Sequence, residues 1–231
     1  GVDVEHCIRV ADQPTGSYLA VLDDKGLLHL GMDDMRVVGA ITSEYLRQRR
    51  DLFKQASAVF LDANLSEKTL RTAISLASRS GVPIAADPTS SNLAPRLLPF
   101  LERLWLITPN ETEAEALVPH PIPHADRDQV IDAAKHLVNK GVEIAVIAMA
   151  ELGVGYATAE GTGQIPAIKT EVLDPTGAGD ALTAAVMFAL LNNIPIDEAV
   201  RLGVSAAALT LRSPGTVSEE LSLERLYNEL R

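Results

Sequence analysis

The stretch Leu173-Asp174-Pro175-Thr176-Gly177-Ala178-Gly179-Asp180-Ala181-Leu182 decides how the rest of the chain is read. Before it, residues 165–172 form an extended, β-branched run interrupted by Pro166. After it, residues 181–191 are apolar apart from Thr183 and long enough for a buried helix. The local expectation is strand, glycine-rich turn, helix. Glycines at 177 and 179 let the chain turn tightly and let a ligand approach where a Cβ would intrude, while the first N–H groups of a helix have no partner within it. With the positive end of the helix dipole behind them, such amides seat a phosphate. Asp180 then stands out, because a carboxylate beside an anion seat repels the ligand unless it has a role of its own. A base toward an incoming hydroxyl is one such role, and capping the helix is the structural alternative.

Two common phosphate motifs are absent: no G-x-x-x-x-G-K-[ST] occurs, and Leu182 stands where a dinucleotide turn needs a third small residue. That makes a nicotinamide-dependent oxidoreductase a poor reading. Residues Asp174 to Asp180 instead closely resemble the C-terminal signature, D-[TP]-T-G-A-G-D, of the ribokinase-like (pfkB) family of carbohydrate and nucleoside kinases. The resemblance implies an ATP-dependent, magnesium-requiring phosphotransferase, with a monovalent cation as a further cofactor. It makes Asp180 the catalytic base and acceptor contact, gives the Gly177, Ala178 and Gly179 amides the charge on the transferred group, and places Thr176 on the nucleotide.

Composition agrees with a small-molecule ligand. The 231 residues are 47% hydrophobic and carry a net charge of −11, enough for a single domain with its own core and unsuited to a nucleic-acid backbone or an anionic membrane. The apolar runs are too short to span a bilayer, no signal pattern leads the chain, and one cysteine, Cys7, fits a reducing, cytoplasmic setting. The histidines lack metal-site spacing, and His120 and His124 read as solvated loop residues.

Alternating residues 17–22 and 27–32 around Asp23-Asp24-Lys25-Gly26 predict a β-hairpin. Strands and helices then alternate: strands over 58–62, 83–87, 105–108 and 143–149; helices over 66–80, 93–103, from Pro109 onward, and over 127–140 behind Asp126. Residues 154–158 and 164–168 read as short antiparallel strands. Helices over 181–191, 196–211 and 221–230 complete the chain. The expected fold is α/β, a doubly wound, mostly parallel sheet with helices on both faces and a small β lid. Asp87, Asn110 and Gly177 all follow strands, at the sheet edge where such folds bind ligands.

Asn110-Glu111-Thr112-Glu113 after Thr108-Pro109 matches the family's N-x-x-E motif. By resemblance Asn110 and Glu113 order waters around the magnesium of ATP; a helix start with an acidic first turn is the structural reading of the same residues. The family's T-x-G-x-x-G nucleotide loop is altered, with Ala148, Ala150 and Gly153 at its places. Ala206-Ala207-Ala208 and Ser213-Pro214-Gly215 resemble the small-residue helix and glycine turn around adenine, so Ala207 and Gly215 are nucleotide contacts on this reading. The hairpin, residues 12–36, resembles the family's lid, which covers the acceptor and mediates homodimers. The runs Pro14-Thr15-Gly16-Ser17-Tyr18-Leu19-Ala20-Val21-Leu22-Asp23 and Gly31-Met32-Asp33-Asp34-Met35 look most like pseudouridine kinases, and Asp87-Pro88-Thr89-Ser90 fits that subgroup, with Asp87 toward the substrate. The resemblance covers all of the chain but only the later part of the family pattern, so either an upstream region or a partner chain is expected to cover the open edge of the sheet, with the acceptor site incomplete in either case. A ribokinase-like nucleotide-binding or regulatory module without turnover is the rival reading.

Overall fold

The computed structural model describes residues 1–22, 28–124 and 126–230. An antiparallel pair, β1 (Ser17–Leu22) and β2 (Leu28–Asp34), forms a separate two-stranded sheet. Its expected turn at residues 23–26 lies outside the described residues. Tyr18 crosses the pair over Gly31, where a Cβ would meet its hydroxyl at 2.6 Å.

A 3₁₀ turn (Arg36–Ala40) and two short helices, α1 (Ser43–Gln48) and α2 (Arg50–Gln55), follow. The six-stranded main sheet then begins. It comprises β3 (Val59–Asp62), β4 (Ile84–Asp87), β5 (Leu106–Ile107), β6 (Ile144–Ala148), β7 (Val154–Thr158) and β8 (Thr162–Ile165), ordered as numbered. Pairing is parallel from β3 to β6 and antiparallel from β6 to β8. The mostly parallel α/β expectation therefore holds.

Helices cover both faces because the central strands are apolar on both sides. On one face, Ile84, Ala86, Ile107, Ala145 and Ile147 pack against α3 (Glu67–Arg79), a 3₁₀ run (Ala94–Arg103), α4 (Glu111–Glu115) and α5 (Arg127–Asn139). On the other, Ala85, Leu106 and Val146 meet α6 (Ala178–Leu191) and α7 (Ile196–Leu211). A final helix, α8 (Leu223–Glu229), rests on α7. Local chemistry sets the helix limits. Ser66 caps α3 by accepting the Thr69 N–H at 3.2 Å, and Leu70, Ala73, Ile74 and Ala77 form its buried stripe. Asp126 accepts the Asp128 and Gln129 N–H groups at 3.1 Å to start α5, and Gly141, at φ 103°, ends that unit against the backbone of Glu102. α6 and α7 approach to backbone contact at Gly203, where a Cβ would sit 2.7 Å from Val186 Cγ2.

Several expectations are corrected. No strand continues through 166–172: β8 stops at Ile165 because Pro166 has no N–H to donate. The helix after the glycine turn starts at Ala178 rather than at residue 181. Residues 93–103 wind as 3₁₀ rather than α, since Pro99 cannot donate to the carbonyl of Pro95 four residues earlier. The last helix begins at Leu223, capped by Ser222, not at residue 221. Residues 36–55, read as no element, form three short helical pieces. No described helix is long and apolar enough to cross a membrane.

Candidate active site

Gly177 is the N-cap of α6, in the left-handed conformation at φ 86°. Only glycine fits, because a Cβ there would run into the Thr216 carbonyl oxygen. The same contact brings the 213–217 loop, with Gly215, against the turn. Asp174 Oδ1 accepts the Thr176 N–H at 2.8 Å and fixes the approach to the turn; that bond holds the Asp174 carboxyl below its usual range. Within α6, Ala181 is the first residue to bond a full helical turn back, to the Gly177 carbonyl at 2.9 Å. Of the amides ahead of it, the Ala178 N–H donates to the Pro175 carbonyl at 3.4 Å, and those of Gly179 and Asp180 have no partner within the helix. A Cβ on Gly179 would meet nothing within 4 Å, so the approach to those amides is open.

Asp180 is in the first turn and is not the cap, which removes the capping explanation for it. Its side chain reaches solvent, yet the protein around it withdraws enough water to push the carboxyl above its ordinary value, and repulsion from Asp62 adds to this. Asp87, at the end of β4, is pushed up to about 7, chiefly by burial. Repulsion from Glu113, Asp180 and Asp62 contributes, against a hydrogen bond from the Thr89 N–H. Three sequence-predicted residues, Asp87, Glu113 and Asp180, are thus near enough at the carboxyl edge of the sheet to act on one another electrostatically. Asp62 joins them without having been singled out. The available signal was its place: it ends β3 as Asp87 ends β4, in direct register.

Asn110 and Glu113 form a capping box on α4. Asn110 Oδ1 accepts the Glu113 N–H at 2.9 Å, and Glu113 Oε2 accepts the Asn110 N–H at 3.0 Å. The box uses one oxygen of each side chain. Burial raises the Glu113 carboxyl above its usual value. Among the described residues no group of three His, Cys, Asp or Glu could cage a metal ion. An outer-shell role through water fits this pair, a direct ligand set does not. The altered nucleotide loop keeps its turn: Ala150 adopts φ 43°, Gly153 φ 98°, and the Met149 N–H bonds the Gly153 carbonyl at 2.8 Å. That loop adjoins the N-x-x-E motif through the Ala148 N–H, which donates to the Pro109 carbonyl at 2.9 Å. Ala207 lies on α7, half-buried against the core face shared with α6. His124 is exposed as expected, but its Nδ1 lies 3.2 Å from Glu111 Oε2 and its Nε2 3.7 Å from Glu151.

Comparison with known proteins places this geometry. The sequence profile described as pfkB family carbohydrate kinase matches residues 1–222. A pseudouridine kinase of Escherichia coli K12 is 32% identical over 99% of this chain and 72% of its own length. A guanosine-inosine kinase of Exiguobacterium acetylicum is 29% identical over 96% of this chain and 74% of its own. The solved structure of a carbohydrate kinase from Agrobacterium tumefaciens superposes with a TM-score of 0.77 at 29% identity, covering 96% of this chain and 70% of that one.

Proposed function

The chain belongs to the pfkB family of carbohydrate kinases, and from that premise we propose that it transfers the γ-phosphoryl group of ATP to a hydroxyl of a nucleoside or sugar, with pseudouridine the first acceptor to try. The observation that carries this is the pairing of a free helix N-terminus with a carboxylate in its own first turn: Gly177 heads α6 and Asp180 follows three residues on. Asp180 accepts the proton of the acceptor hydroxyl. That oxygen bonds to the γ-phosphorus as the bond to the bridging oxygen breaks and ADP leaves. The amides of Gly177, Ala178 and Gly179 at the head of α6 hold the charge spread over the transferred group, the Ala178 N–H exchanging its 3.4 Å bond to the Pro175 carbonyl for the phosphate. Burial and the neighbouring Asp62 raise the Asp180 carboxyl above its ordinary value, which makes it a stronger base toward the hydroxyl proton.

Thr176, Gly153, Ala207 and Gly215 line the nucleotide side on this reading, and Asp87 faces the acceptor. Asn110 and Glu113 would hold waters of magnesium, which neutralises phosphate charge when bound. The names of the nucleoside-kinase relatives support a nucleoside acceptor, and the residues of the lid support pseudouridine among nucleosides.

We read the chain as one domain with residues 12–36 as its lid. The lid exposes Tyr18, Leu19, Val21, Leu30 and Met32, an apolar surface suited to a second copy of the chain; light scattering across a concentration series tests the dimer. A potassium titration of activity tests the monovalent cation. The function itself is tested by ATP consumption over a panel of nucleosides and sugars. Pseudouridine should outperform ribose and fructose, and an equal or better rate with a simple hexose would discard that acceptor.

A further inference from the structure

A groove of about 550 Å³ between α1, α2 and α3 is lined by Arg47, Arg50, Arg71 and Arg79 with Thr72, Ser75 and Leu76, and no acidic residue lines it. Four arginines on one surface are unexpected in a chain of net charge −11. Ion pairing within the fold leaves two of them over. Arg71 is held by Glu67 at 2.7 Å and lies 5.2 Å from the Phe100 ring centre, and Arg47 reaches Glu44 only at 3.9 Å. Arg50 and Arg79 make no ion pair within 4 Å among the described residues; Asp51, beside Arg50 and favoured by its charge, is bonded to Lys54 at 2.7 Å.

The walls of the groove are fixed rather than incidental. Thr72 Oγ1 donates to Ser43 Oγ at 3.0 Å, Ser43 Oγ donates to the Lys68 carbonyl at 3.1 Å, and Thr69 Oγ1 donates to the Ile41 carbonyl at 3.1 Å. These bonds dock the start of α1 on α3, and Ser43 and Thr69 are buried in the joint. Arg47, Arg71 and Arg79 are thereby mounted on two helices whose spacing is set from within, and Arg50 opens α2 directly after α1.

We propose that this groove is a second anion site, separate from the phosphoryl-transfer site, for a small molecule carrying two or more linked phosphates. Guanidinium forks bond phosphate oxygens in pairs, which lysines cannot do, and the volume lies in the range of small-molecule sites. A long polyanion would also meet the acidic remainder of the surface and be repelled, so a short oligophosphate is the ligand this groove selects. α3 runs back from the end of β3, so Arg79 lies toward the amino edge of the strands, away from Asp62 and Asp87. α3 also covers the face of the sheet opposite α6, and both sites can be filled at once.

The proposal does not depend on the phosphoryl-transfer reading, and the test separates the two. Tripolyphosphate is titrated calorimetrically, without magnesium, into the wild-type chain, Arg50→Gln/Arg79→Gln and Gly179→Ala, whose added methyl obstructs the α6 amides, with circular dichroism verifying each fold. A binding event weakened about tenfold or more in the arginine double variant, and retained in Gly179→Ala, is the expected result. Kinase turnover without tripolyphosphate should be the same in the double variant as in the wild type. Arg50→Lys/Arg79→Lys, which keeps the charge and loses the forks, should fall between. If the double variant does not fold, the two single glutamine variants carry the same test. Equal affinity and stoichiometry in wild type and arginine variants would overturn the proposal. Tighter, Arg50- and Arg79-dependent binding of a short DNA duplex would overturn it in favour of a nucleic-acid surface.

Discussion

Asp62 and Asp87 are register partners at the carboxyl ends of β3 and β4, so the parallel pairing itself sets two carboxylates side by side. Thr89 holds the second in place: its N–H bonds Asp87 Oδ1 at 2.6 Å, its Oγ1 accepts the Ala63 N–H at 3.1 Å, and its backbone takes φ 68°. A β-branched residue adopts that conformation only when its surroundings demand it, and such strain gathers at functional sites. The turn ties the end of β3 to the end of β4 and fixes the Asp87 carboxylate at the strand end.

Asp87 should make the fold less stable as pH rises. Its carboxyl is raised from 3.8 to about 7, so between those values the folded chain binds the proton that the unfolded chain has already released. Stability from this group is full below the unfolded value and falls as pH rises through the folded one. Asp87→Asn keeps the acceptor for Thr89 and removes the ionisation. Its unfolding free energy should exceed that of the wild type at pH 8 by an amount on the order of 3 kcal/mol after solvent screening, and the two should converge toward pH 4. Parallel curves across the range would show that Asp87 ionises as an ordinary surface carboxylate.

Gly177 and Gly179 should respond oppositely to alanine. Gly177→Ala places a Cβ against the Thr216 carbonyl at a left-handed φ and should cost about 2 kcal/mol or more in urea unfolding. Gly179→Ala meets no atom and should leave stability within about 1 kcal/mol, since alanine favours a helix, while weakening ATP binding through the methyl it adds over the open amides. Equal destabilisation by both would mean that the turn is a folding device only.

Glu113→Gln should retain the capping box, because glutamine also accepts the Asn110 N–H, and so change stability by less than about 0.5 kcal/mol. The magnesium concentration for half-maximal activity should rise several-fold, with a smaller effect at saturating metal. An unaltered magnesium titration would leave the pair as a helix start alone.

Where the sequence carried strong local chemistry, it was legible. α7 runs from Ile196 to Leu211 as its flanking Pro195 and apolar pattern predict, and Ser66 with Gly81 brackets α3. The motifs at Asn110–Glu113 and Gly177–Asp180 could be placed because each is a helix start following the sheet. Residues 36–55 were illegible because their helices are too short to show a helical period. The start of α6 was misplaced because Ala178 and Gly179 read as part of the turn, although the cap is Gly177. Asp62 was missed for a different reason: its significance depends on the register of a neighbouring strand, which no single segment encodes. The arginine groove is equally a tertiary product, assembled from three helices of which two were not anticipated.

Asp180→Asn tests the central claim most directly. Phosphate transfer from ATP to the best acceptor is followed by phosphorus NMR for the wild type and the variant, with ATP affinity and melting temperature measured on the same preparations. Asparagine conserves the shape and deletes the base, so transfer should fall by roughly 10²–10⁴-fold with ATP binding and stability nearly unchanged. Transfer at the wild-type rate by the pure variant would contradict the assignment of Asp180 as the base, and with it the reading of this helix start as the site of phosphoryl transfer.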